Sequence, residues 1–186
     1  MPDSRASIRI ENVVATGTLD QRIDLNAIVR WNPGVDYHPE TFPGLVFRLK
    51  KPKTAILIFS TGKMVCTGAK SEKEASKAIK KVVRELKTSG IIIPGKPEIK
   101  TVNMVASANL LGRIELEDCA YNLEKTMYEP EQFPGLIYRM DDPKVVILLF
   151  TSGKLVCTGA TKEEDVYTAV AKLHKKLEEK ELISYE

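Results

Sequence analysis

A stretch of 33 residues is spelled twice in this chain. Tyr37 to Ala69 reads YHPETFPGLVFRLKKPKTAILIFSTGKMVCTGA, and Tyr128 to Ala160 reads YEPEQFPGLIYRMDDPKVVILLFTSGKLVCTGA. The offset is 91 residues without a gap, and 20 of the 33 positions are identical. The register extends outward, since Ile8, Asn12, Val14, Ala15 and Leu25 recur as Ile99, Asn103, Val105, Ala106 and Leu116. Such a period is too long for a solenoid repeat. It describes one supersecondary unit, duplicated so that residues 1–92 and 93–186 form a pseudo-twofold pair within one domain.

Each copy predicts a strand, a short helix, several antiparallel strands and a long helix. In the first copy, Ile8 to Leu19 is strand-like, and Asp24 to Trp31 is a short helix stopped by Asn32-Pro33-Gly34. After Phe42-Pro43-Gly44 come strands over Leu45–Leu49, Thr54–Ser60 and Lys63–Ala69, the last two joined by a tight hairpin at Thr61-Gly62. Ser71 with Glu74 forms a capping box. The helix it opens carries Ala75, Ala78, Ile79, Val82, Val83 and Leu86 at helical spacing and ends at Gly90. The second copy predicts its long helix from Thr161, with Glu164 as box partner and Val166, Ala169, Val170, Leu173 and Leu177 as the stripe.

One amphipathic helix per copy covers only one face of the sheet. An antiparallel strand with a solvated face should alternate apolar and polar residues, yet Thr54–Ser60 is apolar on both sides. The helix takes Ile56, Ile58, Met64 and Cys66. Leu57, Phe59 and Val65 are left over, as are Leu148, Phe150 and Val156 in the second copy. Two arrangements answer this: the copies stack these faces on each other, or the faces form a binding surface. Lys63 and Lys154 share the face with the valines, and Arg48 and Arg139 tend toward the same region. A sealed core does not readily take four cations without partners. An apolar surface edged with cations suits a polyanion with an apolar interior, and the DNA minor groove is one. Phenylalanine can enter base steps there and kink the duplex.

Composition excludes several other classes. The chain is 43% hydrophobic and 28% charged, typical of a soluble globular protein. No apolar run is long enough for a membrane span, and Met1 to Ser7 lacks the apolar core of a signal peptide, so an intracellular protein without a membrane partner is expected. The three cysteines read as free thiols, because Cys66 and Cys157 are one position duplicated and Cys119 has no counterpart. No metal or cofactor is implied. Only His38 and His174 are present, neither duplicated, and no catalytic triad or metal-ligand spacing accompanies them. STGK and TSGK resemble a phosphate loop but lack its upstream glycine and lie in a hairpin. A protein-interaction scaffold is the remaining alternative to DNA binding.

At EQFPGLIYRM, DDPK, VVILLF, TSGK and LVCTGA the chain resembles the TATA-binding protein family, over both repeats. The resemblance implies an α+β, two-fold pseudosymmetric saddle: a curved antiparallel sheet of about ten strands with helices on its convex face and DNA beneath. It implies a non-enzymatic general transcription factor that binds TATA-box promoter DNA in the minor groove and bends it by Phe insertion. Phe42 with Phe59, and Phe133 with Phe150, match the wedge pairs. Asn12, Asn103, Thr67 and Thr158 match the central polar contacts. Val14, Val65, Val105 and Val156 match the apolar floor, to which Leu57 and Leu148 add. Arg48, Arg139, Lys63 and Lys154 match backbone-contacting positions.

Partner contacts follow from the same resemblance. Family members bind transcription factor B through the loop before the second FPG, here Glu129 and Glu131, and recruit RNA polymerase. The first copy has His38 and Glu40 there, which is either ordinary loop polarity or a means of favouring one half. An exposed apolar sheet also offers a surface for a homodimer when DNA is absent. Lys73, Lys77, Lys80, Lys81 and Arg84 make the first long helix basic, either as a solvated face or as a contact for an acidic partner or flanking DNA. With neither a long low-complexity N-terminal extension nor an acidic C-terminal tail, the sequence is most similar to the archaeal type. That implies a cytoplasmic location at the nucleoid; a eukaryotic member would be nuclear.

Overall fold

In the computed structural model, which describes residues 7–186, the elements begin with β1 (Ser7–Thr18), α1 (Leu25–Trp31), β2 (Asp36–Tyr37), β3 (Leu45–Lys50), β4 (Lys53–Ile58), β5 (Lys63–Ala69) and α2 (Glu72–Thr88). The series recurs as β6 (Glu98–Asn109), β7 (Arg113–Ile114), α3 (Leu116–Asn122), β8 (Thr126–Met127), β9 (Leu136–Asp141), β10 (Lys144–Leu149), β11 (Lys154–Ala160) and α4 (Glu163–Glu179), followed by β12 (Ile183–Ser184). The expected lack of a signal core falls, for residues 1–6, outside the described residues.

Ten strands form one sheet in the order β2-β3-β4-β5-β1-β6-β11-β10-β9-β8, and β12 pairs with β7 separately. The chain divides into two compact units, one spanning 12–102 and the other 103–186 with the start of β1 up to Glu11. The division falls inside the two long strands, β1 and β6. Within each unit the registers are duplicates: Leu45 faces Ile58 and Ile56 faces Cys66, as Leu136 faces Leu149 and Ile147 faces Cys157.

Why these segments form these elements is legible at their ends. The Asp24 side chain accepts from the Asn26 N–H at 3.0 Å and caps α1. Ser71 Oγ accepts from the Glu74 N–H at 3.0 Å, but the Glu74 carboxylate reaches one residue further back, to the N–H of Lys70. The capping box is therefore half reciprocal. In the second copy it does not form: Lys162 is the N-cap, no side chain caps the helix, and Glu163, Glu164 and Asp165 stabilise its first turn by charge alone. Strand β4 also stops earlier than the pattern suggests, at Ile58, so Phe59 begins the turn instead of ending the strand.

The core of each unit lies between one sheet face and one long helix. Ile56, Ile58, Met64 and Cys66 are fully buried, as are Ala75, Ala78, Ile79, Val82 and Leu86 of α2. The second unit repeats this with Ile147, Leu149 and Cys157 against Val166, Ala169 and Leu173. Each large aliphatic side chain so buried contributes about 1.5–3 kcal/mol, which commits this face to folding. The opposite face, carrying Leu57 and Val65 or Leu148 and Val156, stays only half-buried in each unit.

Candidate nucleic-acid interface

In the unit spanning 12–102, alternation along β1, β4 and β5 puts Asn12, Val14, Leu57, Lys63, Val65 and Thr67 on the face turned away from α2. Cross-strand pairing draws them together: Leu57 faces Val65, Val65 faces Thr16, and Lys63 faces Thr18. In the other unit Leu148 faces Val156, Val156 faces Ser107, and Thr158 faces Val105.

The register of β1 on β5 shifts between Val13 and Ala15, and that of β6 on β11 between Thr158 and Ala160. These are bulges, and Gly68 (φ 99°) and Gly159 (φ 104°) supply the left-handed backbone they need. Each bulge turns a glycine N–H toward an asparagine. Asn12 Oδ1 accepts from the Gly68 N–H at 2.7 Å, and Asn103 Oδ1 accepts from the Gly159 N–H at 2.7 Å. Asn12 Nδ2 donates to the Thr67 hydroxyl oxygen at 3.1 Å, while the Asn103–Thr158 contact is longer, at 3.4 Å. A main-chain N–H can meet only an acceptor, so the carboxamide oxygens are held inward. The amide hydrogens not used on threonine are left as donors at the surface.

Four of the five phenylalanines form two matching pairs, and the fifth, Phe47, is buried in the core. Phe42 and Phe59 meet edge to face, with centroids 5.9 Å apart and planes at 69°; Phe133 and Phe150 do so at 5.9 Å and 67°. Phe42 is 42% exposed and Phe133 38%, although each is a large apolar ring. Beneath each pair lies a glycine: a Cβ on Gly44 would come within 2.7 Å of Phe42 and 2.9 Å of Phe59, and Gly135 repeats this under Phe133 and Phe150. The hairpin after each inner ring is tied by Phe59 N–H to Lys63 O and by Phe150 N–H to Lys154 O.

The cations are not all alike. Lys63 and Lys154 are exposed, and among the described residues neither ammonium makes an ion pair. Arg139, opposite Val146, points its exposed side chain away from the helix-covered face. Arg48 is ion-paired with Asp36 on neighbouring β2, a partner that the sequence pattern did not reveal. Both groups are well exposed, so the pair is worth at most about 1 kcal/mol and exchanges readily.

Glu129 and Glu131 sit exposed in the turn before the second FPG, where Gln132 and Phe133 N–H groups donate to Glu129 O. His38 accepts the equivalent bonds from Thr41 and Phe42 in the other unit. No group of three or more metal-binding side chains occurs among the described residues. The three thiols are buried, and burial pushes each from the ordinary 9.0 up to about 11, with Glu74 adding to the effect at Cys66, and Asp118 and Glu115 at Cys119. Among the described residues no helix is long and apolar enough to cross a membrane.

Comparison with known proteins adds an independent line. The family model described as transcription factor TFIID (or TATA-binding protein, TBP) matches residues 7–89 and 98–180, one segment per repeat. The TATA-box-binding protein of Sulfurisphaera tokodaii is 56% identical over 175 residues, which is 94% of this chain and 88% of that protein. That of Pyrodictium occultum gives the same figures, 56%, 94% and 88%. The solved structure of Methanococcus jannaschii TBP superposes with a TM-score of 0.85 at 52% identity, covering 92% of this chain and 98% of that one.

Proposed function

This chain belongs to the TATA-binding protein family, and from that premise we propose that it binds TATA-box promoter DNA in the minor groove, kinks it by phenylalanine insertion and recruits transcription factor B and RNA polymerase. The family consists of general transcription factors that bind DNA and are not enzymes. The observation that carries the finer reading is the pair of asparagines whose oxygens are held by Gly68 and Gly159, leaving donors between half-buried valines.

The minor groove of an A·T pair offers only acceptors, adenine N3 and thymine O2, whereas G·C adds the guanine amino donor. Amide donors over Asn12 and Asn103 meet the acceptors. Val14, Val65, Val105 and Val156, with Leu57 and Leu148, form an apolar floor that gives the guanine amino group no partner, at a cost of about 1–3 kcal/mol. The exposed outer rings, Phe42 and Phe133, supported by Phe59 and Phe150, are the wedges that unstack a base step. Lys63, Lys154, Arg48 and Arg139 take the flanking phosphates, whose neutralisation makes binding salt-dependent. Glu129 and Glu131 form the acidic docking point for transcription factor B, and His38 and Glu40 make the other end less acidic.

The test replaces the A·T pairs of a TATA duplex by I·C pairs. Inosine lacks the amino group, so the minor groove keeps its pattern while the major groove is changed. Retained binding on I·C and loss on G·C is the expected result; loss on both would place the readout in the major groove.

A further inference from the structure

Beside Phe150 lies an open groove of about 710 Å³ that includes residues for which the interface above has no role. Arg9 and Ser7 of β1, Asn109 of β6 and Ser152 of the hairpin line it, together with Lys154 and Phe150. No carboxylate is among the described residues lining it.

The hydrogen bonds around this groove are one-sided. Asn109 Oδ1 accepts from the Leu111 N–H at 2.9 Å, which uses its acceptor and leaves Nδ2 as a donor. Ser152 Oγ accepts from the Lys154 N–H at 3.4 Å, so its own proton is available. Glu11, two residues along β1, accepts from the Ser107 hydroxyl at 2.6 Å. Arg9 is exposed, and among the described residues its guanidinium has no ion pair or hydrogen bond. The groove therefore presents two cations and two neutral donors, while the nearby Glu11 carboxylate keeps its charge but is turned onto the Ser107 hydroxyl. That suits a group with several anionic oxygens, and guanidinium in particular matches phosphate in a bidentate fashion.

We propose that Arg9, with Asn109, Ser152 and Lys154, cradles one phosphodiester of the bound DNA at the Phe150 end of the interface. The proposal rests on the minor-groove reading above, because the groove is continuous with Phe150 and Val156 and the phosphate belongs to the same duplex. It also makes the two ends unequal. At the positions 91 residues away, Lys100 replaces Arg9 but Glu98 replaces Ser7, and Thr18 stands for Asn109. The acids exchange places too, since Glu98 stands for Ser7 while Val102 stands for Glu11, so the difference between the copies lies in arginine against lysine and asparagine against threonine.

The test is the salt dependence of affinity for a TATA duplex, measured by fluorescence anisotropy on the full chain. Loss of one phosphate contact reduces the slope of log K against log salt by about 0.9. Arg9→Ala is expected to show that reduction and to weaken binding severalfold on A·T-rich and G·C-rich duplexes alike. Arg9→Lys should recover most of the slope. Lys77→Ala, which removes one charge from the exposed face of α2, is the control for net charge and should leave the slope unchanged. An unaltered slope in Arg9→Ala, or an equal reduction in Lys77→Ala, overturns the proposal while leaving wild-type A·T preference intact. A wild-type protein with no preference for A·T DNA overturns the minor-groove reading itself.

Discussion

Asn12 and Gly68 are joined by a hydrogen bond that decides which end of the carboxamide faces outward. The Gly68 N–H donates to Asn12 Oδ1 at 2.7 Å, and the bond exists because a bulge and a φ of 99° turn that N–H out of the strand ladder. Asn12→Asp keeps an oxygen for Gly68 but places a second, anionic oxygen where the donor was, facing the groove acceptors. Affinity for A·T DNA should fall about tenfold to a hundredfold, and further than in Asn12→Ala, as read by anisotropy. An aspartate variant that binds better than the alanine variant would show that the amide does not face acceptors.

The edge-to-face ring pairs predict a separation of binding from bending. Phe150→Ala removes the ring that supports Phe133, so end-to-end fluorescence transfer in a doubly labelled duplex should drop markedly at saturating protein. Lys77→Ala, on the exposed surface of α2, should leave bending unchanged. The reverse ranking would move the DNA contact to the helices.

Stability should be sensitive to the hairpin glycines and indifferent to others. Gly62 has φ 96°, and a Cβ there would clash with the carbonyl oxygens of Gln21 and Leu19, the latter at 2.5 Å. Gly62→Ala is expected to cost about 2–4 kcal/mol in urea unfolding. Gly34, with no atom within 4 Å of such a Cβ, should tolerate alanine within about 0.5 kcal/mol.

Much of this architecture was legible from residue pattern. The stripes of both long helices coincide with their buried residues, because a 3.6-residue period admits one solution. The short helix expected over Asp24 to Trp31 is present, with Asp24 as its cap and Leu25 as its first residue. The apolar surplus of Leu57, Val65, Leu148 and Val156 does lie on the face that the helices leave open. What the pattern did not show depends on long-range geometry. The Asn12–Gly68 bond spans 56 residues, and the Gly in each TGA was the available signal for the bulge. The Arg48–Asp36 pair joins neighbouring strands whose register lies beyond a local reading. Arg9 belongs to the first repeat by sequence yet lines a groove with residues of the second. The spacing of Thr161 and Glu164 predicts a capping box, but Lys162 takes the cap, where acidic residues of the first turn already serve the helix.

The buried thiols give a pH dependence whose sign follows from linkage. Burial holds Cys66, Cys119 and Cys157 at about 11 in the fold, against an ordinary 9.0. Native thiols therefore keep protons that the unfolded chain releases. Their contribution is fully present below pH 9 and is lost as pH rises toward 11. Urea midpoints should decline across that window, and a thiol reagent at neutral pH should label the cysteines only on unfolding. Rapid labelling of the native protein would contradict their burial.

The most direct measurement is a titration of this protein against a doubly labelled TATA duplex and a G·C-rich control of equal length, with end-to-end fluorescence transfer recorded alongside affinity. Tighter binding to the A·T duplex, accompanied by a rise in transfer as its ends approach, is the predicted result. Equal affinity for the two duplexes, with no change in transfer on either, would contradict minor-groove binding by phenylalanine insertion.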